Sequence, residues 1–181
     1  MTLIIAARCY DGCVIVSDSR QHIKNDTDIR YKDGYIKVLI CGKYVIYNHG
    51  YNRIDNKDWK LQAKNLTPEV DNPVYKQIQE EMKSKPDKKA FYVFINKNEL
   101  HEISIEVGNG VKYINHLPGD RLVSGCGAKY VDLGLLIDLN TKKYNKVRAD
   151  LETTFLNAYN NQSKANGKEF SNGYTIKYLL S

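Results

Sequence analysis

A threonine hydroxyl is a weak nucleophile at neutral pH unless a nearby base takes its proton. Thr2 stands directly behind the initiator methionine. Removal of Met1, the usual processing when a small residue follows, leaves Thr2 with both a hydroxyl and a free α-amine. That amine, with an ordinary pKa of about 7.7–8.0, is poised to act as a base near neutrality. One residue then holds nucleophile and proton acceptor together. The stretch that carries it, Leu3 to Arg20, reads as two apolar strands joined by Tyr10-Asp11-Gly12, because Asp-Gly between β-rich runs signals a hairpin.

A leading threonine, an apolar strand, Asp-Gly and a second apolar strand ending Ser17-Asp18-Ser19-Arg20 are followed by Lys37, His49-Gly50 and Ser124-Gly125-Cys126-Gly127. In type and order these motifs resemble a proteasome β-type subunit of the N-terminal nucleophile hydrolases. The likeness runs nearly end to end. The chain opens at its first strand, without the leading helix of the noncatalytic α-type subunits, which favours the β type.

The resemblance implies a role for each matching residue. Lys37, at the head of Lys37-Val38-Leu39-Ile40, is the site lysine, whose ammonium lowers the proton affinities of the Thr2 amine and hydroxyl. Asp18, at the end of the second strand, pairs with it. Lys32 competes for the role but lies in a Lys-Asp-Gly turn. Gly50 offers its backbone N–H to an oxyanion. Cys126 replaces the serine that bonds the terminal amine in the family. Ser171-Asn172-Gly173 resembles the family's Ser-Gly-Gly, but the aspartate expected three residues earlier is Lys168, with Glu169 beside it. His49 lacks a Gly-x-Ser-x-Gly elbow and takes a background part.

The elements that must position these residues follow from periodicity. Both faces of the opening strands are apolar, so the sheet must be covered on both sides. Gln21–Asp28 is polar and irregular. Tyr35–Cys41 and Tyr44–Tyr47 form a further hairpin, so the first four strands read as consecutive hairpins of one antiparallel sheet. Two helices fall between Asn52 and Ser84, the second starting at Asn72-Pro73. Strands return at Ala90–Ile95, Leu100–Glu106, Val111–Asn115 and Arg121–Gly127. A helix bearing Val131, Leu135, Leu136 and Leu139 follows, then one bearing Val147, Leu151, Phe155, Ala158 and Tyr159. Tyr174–Leu180 closes as a strand. The order fits an α+β fold, a four-layer αββα sandwich with two antiparallel sheets between helical layers, over one domain spanning 1–181.

Composition narrows the function classes. With 42% apolar residues in 181, the chain can build a continuous core. No apolar run reaches membrane-spanning length, which points to a cytoplasmic, non-membrane protein. Four cysteines without a Cys-x-x-Cys pair read as buried reduced thiols, not zinc ligands. The net charge of +6 is spread along the chain, without the aromatic-interleaved basic motif of nucleic-acid binders, so a solvated lysine surface is the reading. Neither cofactor nor metal is expected. The leading function is a threonine-type peptidase or amidase that forms an acyl-enzyme on Thr2. Its alternatives are connectase-like peptide ligation through the same intermediate and a noncatalytic assembly or binding subunit. The expected partners are a peptide or amide substrate and, by resemblance, further copies of the chain.

Overall fold

A computed structural model describes residues 2–25, 28–35, 37–168 and 170–180, apart from the side chains of 21–31 and 175–180. In chain order the strands are β1 (Ile4–Cys9), β2 (Gly12–Asp18), β3 (Gln21–Asn25), β4 (Asp28–Lys32), β5 (Val38–Cys41), β6 (Tyr44–Gly50), β7 (Arg53–Ile54), β8 (Lys57–Asp58), β9 (Lys89–Ile95), β10 (Leu100–Glu106), β11 (Gly110–His116), β12 (Arg121–Ser124) and β13 (Tyr174–Leu180). Helix α1 spans Pro73–Met82 and α2 spans Tyr144–Lys164, with 3-10 turns at Trp59–Asn65, Cys126–Tyr130 and Leu139–Thr141. One antiparallel sheet has the order β12-β1-β2-β13 and the other β11-β10-β9-β6-β5. Among the described residues no helix is long and apolar enough to cross a membrane.

The two-sided apolar character of β1 and β2 is answered by two different cores. Leu3, Ile5 and Ala7 with Val14 and Val16 pack under Val147, Leu151, Phe155 and Ala158 of α2. Ile4 and Ala6 with Cys13 and Ile15 meet Val38, Val45, Tyr47, Val93 and Ile95 of the second sheet. That second sheet turns its other face, including Tyr92, Ile103 and Ile105, to Tyr75, Ile78 and Met82 of α1. Asn72 starts α1 by accepting from the Val74 N–H at 3.0 Å, with Pro73 in the first turn where a missing N–H costs nothing.

Three sequence expectations are corrected. The first four apolar strands do not share a sheet: β1 and β2 belong to one, β5 and β6 to the other. Consecutive hairpins usually pair with each other, but β6 takes β9 as its second neighbour, and the chain crosses between sheets after Asp18. The polar segment 21–28 is not irregular, since Gln21–Asn25 pairs with Asp28–Lys32 as a hairpin. The helix expected over Val131 to Leu139 does not form. Asp132 Oδ1 accepts from the Gly134 N–H at 2.9 Å, a local bond that competes with helix, and Asp138 is left-handed at φ 51°. Leu136 and Leu139 still reach the core, through turns.

Phe155 is fully buried and meets Phe170 edge-on with ring centroids 5.5 Å apart. Phe155→Ala should therefore cost about 3–5 kcal/mol of stability by cavity formation, read as a lower denaturant midpoint with an unchanged slope.

Candidate functional site

The β1–β2 hairpin places Thr2 one residue before Leu3, and Leu3 is tied twice to Asp18. The Leu3 N–H donates to Asp18 Oδ1 at 2.9 Å, and the Asp18 N–H donates to the Leu3 carbonyl at 3.1 Å. Asp18 Oδ2 accepts the Arg20 N–H at 2.9 Å. The carboxylate is thus fixed by two backbone donors at the end of a strand. Its remaining partner is Lys37, which arrives from the second sheet just ahead of β5.

Lys37 Nζ lies 2.7 Å from Asp18 Oδ1 and 2.5 Å from Thr2 Oγ1. All three residues are buried, at 6% exposure for Lys37, 1% for Asp18 and 6% for Thr2. Burial pushes the Asp18 carboxyl up and the Lys37 ammonium down, while their mutual attraction and hydrogen bond oppose both shifts. The hydroxyl of Thr2 therefore sits on a cation that also contacts its counter-ion Asp18. Lys32, the competing lysine, is exposed at the end of β4.

Cys126 belongs to the same group. The Thr2 N–H donates to its Sγ at 3.2 Å, and the Thr2 carbonyl accepts from the Gly127 N–H at 3.1 Å. This approach requires glycine at 125, where φ is 95° and a Cβ would stand 2.2 Å from the Thr2 carbonyl oxygen. The cysteine reading is corrected in part: Cys9 and Cys13 are buried free thiols, but Cys41 is half-buried and Cys126 exposed.

The other two expected site residues stand outside this hydrogen-bonded set. Ser171 Oγ lies 3.3 Å from Ser19 Oγ and donates to the Gly173 carbonyl at 3.2 Å, so it reaches the site through the neighbour of Asp18. Gly50 ends β6 with φ 80°, and its close approach is to Lys89, whose carbonyl oxygen would be 2.1 Å from an added Cβ. The Lys168 side chain is exposed, and its carbonyl accepts from Arg20 Nη1 at 3.3 Å. Glu169, its proposed substitute, lies outside the described residues, as does Met1.

Solved structures similar to this chain include Anbu proteins. Anbu from Yersinia bercovieri, described as an ancestral beta-subunit, is 11% identical with a TM-score of 0.62 over 98% of this chain and 82% of that one. A Gly-1 mutant of Anbu from Hyphomicrobium sp. strain MC1 is 12% identical with a TM-score of 0.58 over 97% and 80%. No family model and no curated protein matches the chain. These findings establish a proteasome-like fold and correct the family drawn from the motifs. The neighbours are Anbu, distinct from the proteasome β-type subunits of the N-terminal nucleophile hydrolases, and two antiparallel sheets do not by themselves give membership of that superfamily.

Sequence reasoning passed over two features of this region. Arg20 places its guanidinium on Asp33, with Nε 2.8 Å from Oδ1, and so closes the crossing segment onto the end of β2. The cue was available in Ser17-Asp18-Ser19-Arg20, a polar run ending an apolar strand. His49, set aside as background, has Nε2 2.7 Å from Ser124 Oγ and its ring stacked on Phe91 at 4.3 Å, joining the two sheets. No local pattern announces that pairing, because its partners are 75 residues apart. A shallow cleft of about 550 Å³ near the start of α1, lined from Asn65 to Val74, shares no residue with the Thr2 group.

Burial and the nearby Lys37 charge push the His49 imidazole down to about 3 from 6.5. A depressed histidine contributes stability that is fully present above its unfolded pKa and is lost as pH falls toward its folded one. Stability should therefore decline between pH 6.5 and about 3 with a His49 component. His49→Gln should flatten that part of the curve, as followed by denaturation across pH. An unchanged slope would show that the ring is protonated in the folded protein.

Proposed function

We propose that the protein transfers acyl groups through Thr2 once Met1 is removed, cleaving or exchanging a peptide or amide bond. The observation that carries this reading is the Lys37 ammonium held 2.5 Å from Thr2 Oγ1 by a buried carboxylate. The Thr2 oxygen attacks the amide carbonyl carbon and its proton passes to the freed α-amine. The tetrahedral intermediate collapses as the C–N bond breaks, and the departing amine takes the proton from the α-ammonium. An ester on Thr2 remains. Water resolves it to an acid, or a second amine resolves it to a new amide as in connectase-like ligation. Lys37 stabilises charge on Oγ1 at both steps, and Gly50 is the proposed backbone donor to the carbonyl oxygen. Ser171 steadies the end of β2 through Ser19.

The four-layer αββα sandwich is the arrangement we infer for the scaffold, with three apolar clusters alternating between sheets and helices. Self-association into a homo-oligomer belongs to the same reading, and exposed Ile40, Leu61 and Leu117 offer apolar surface for it. The free cysteines suit a cytoplasmic setting.

A second reading is a noncatalytic assembly or binding protein on the same scaffold. Likeness to Anbu at 11–12% identity carries fold alone, and the Thr2 nitrogen is occupied with Cys126 Sγ. The mass of the natively produced chain and its reaction with peptide mixtures separate the two. The expected result is loss of Met1 and an acyl adduct on Thr2 that Thr2→Ala abolishes and Lys37→Ala slows about 100-fold or more. Retained Met1 with no adduct under any substrate establishes the second reading.

A further inference from the structure

Strand β6 divides its side chains between two cores: Tyr44 and Ile46 face α1, whereas Val45 and Tyr47 face the other sheet. On that facing sheet Ile4 and Ala6 fill the same space, and Thr2 continues their parity one step before β1. Tyr47 stands opposite Val38 in the ladder, beside the residue that follows Lys37. Its ring is fully buried, and its hydroxyl has no hydrogen-bond partner among the described residues. The Thr2 side chain lies within loose hydrogen-bonding reach of that hydroxyl, short of a full hydrogen bond, and the charges of Asp18, Cys126 and Tyr35 act on it.

A buried phenol normally finds a partner, and an orphan calls for a reason. Phenylalanine would fill the same apolar space without stranding a polar group. The position makes sense if the loose approach to Thr2 tightens into a full hydrogen bond only during reaction. We propose that Tyr47 is a second donor to Thr2 Oγ1, its O–H turning onto that oxygen as negative charge develops there. This rests on the reading of Thr2 as the nucleophile.

Lys37 and Tyr47 then grip one oxygen from two sides. The phenol keeps its own proton throughout, because burial and the Asp18 charge hold its pKa well above the ordinary value. In the second step the α-amine takes a proton from the attacking water or amine, and as the ester breaks the C–O electron pair returns to Oγ1, which takes that proton from the α-ammonium while Tyr47 again supplies a hydrogen bond. The orphan is thus a donor whose desolvation is already complete before charge appears.

The test uses Met1-free full-length protein as wild type, Tyr47→Phe and Tyr92→Phe, with p-nitrophenyl acetate as the probe. Acylation of Thr2 is followed by nitrophenolate release and intact mass, and folding by thermal melting. Tyr92 is a control, being another fully buried phenol with an unpartnered hydroxyl, but packed on the α1 side. Tyr47→Phe should lower the maximal acylation rate about 10- to 100-fold with KM unchanged and melting temperature equal or higher. Tyr92→Phe should acylate at the wild-type rate. An active wild type with an equally fast Tyr47→Phe overturns the Tyr47 role alone. So does a Tyr47→Phe loss that comes with raised KM and a lower melting temperature, which marks mere packing. A wild type that is never acylated overturns the Thr2 reading, and the Tyr47 role falls with it.

Discussion

A buried ammonium is the constraint on which the rest of this structure turns. Removing a lysine from water costs several kcal/mol unless charge and hydrogen bonds replace the hydration. Here the replacement is supplied by Asp18 Oδ1 and Thr2 Oγ1, at 2.7 and 2.5 Å from Lys37 Nζ. Asp18 can serve only because its own oxygens are satisfied by the backbone N–H groups of Leu3 and Arg20. The cation, the carboxylate and the hydroxyl are therefore one unit. Loss of any member leaves a buried polar group without its partner.

That unit explains why the chain changes sheets after β2. Asp18 and Thr2 sit at one end of the β1–β2 hairpin, whereas Lys37 precedes an edge strand of the other sheet. The segment between them is returned to the same place by the Tyr35 N–H, which donates to the Ser19 carbonyl at 2.9 Å, and by the Arg20–Asp33 pair. Below Thr2 the support is apolar. A Cβ at Gly127 would strike Phe170 and Leu3, at 2.7 and 2.9 Å, so the Cys126 loop rests directly on the α2 core. Packing on one side and a salt bridge on the other set the position of one hydroxyl.

What was legible in the sequence divides along physical lines. Local signals were reliable: Asp-Gly at β1–β2, Asn72-Pro73 at α1 and the long apolar stripe of α2 all report interactions within a few residues. The gathering of Thr2, Asp18, Lys37 and Cys126 was legible only through the order of motifs. Strand partnership was not, because consecutive hairpins read as one sheet of β1, β2, β5 and β6, whereas tertiary packing gives β6 to β9. The failed helix over 131–139 shows the converse error. Its leucines have helical spacing, yet Asp132 and Gly134 favour a turn, and burial of Leu136 and Leu139 is achieved without helix. Tyr47 was invisible as anything but an apolar strand residue. Only its stranded hydroxyl singles it out.

The charge at position 168 bears on how the site differs from the pattern that its motifs resemble. A lysine where a carboxylate is expected next to a nucleophile would reverse the local field, adding a second cation beside Lys37. The structure removes that difficulty by using only the backbone of Lys168. Its side chain is exposed, and its carbonyl accepts from Arg20 Nη1, whose guanidinium is already matched by Asp33. Lys168 thus meets the end of β2 through its peptide carbonyl and an externally balanced arginine. Asp18 is an anion in direct contact with Lys37. The Asp18 charge that pairs with the ammonium also fixes the backbone of Leu3, and that shared dependence holds the hydroxyl of Thr2 where the lysine can act on it.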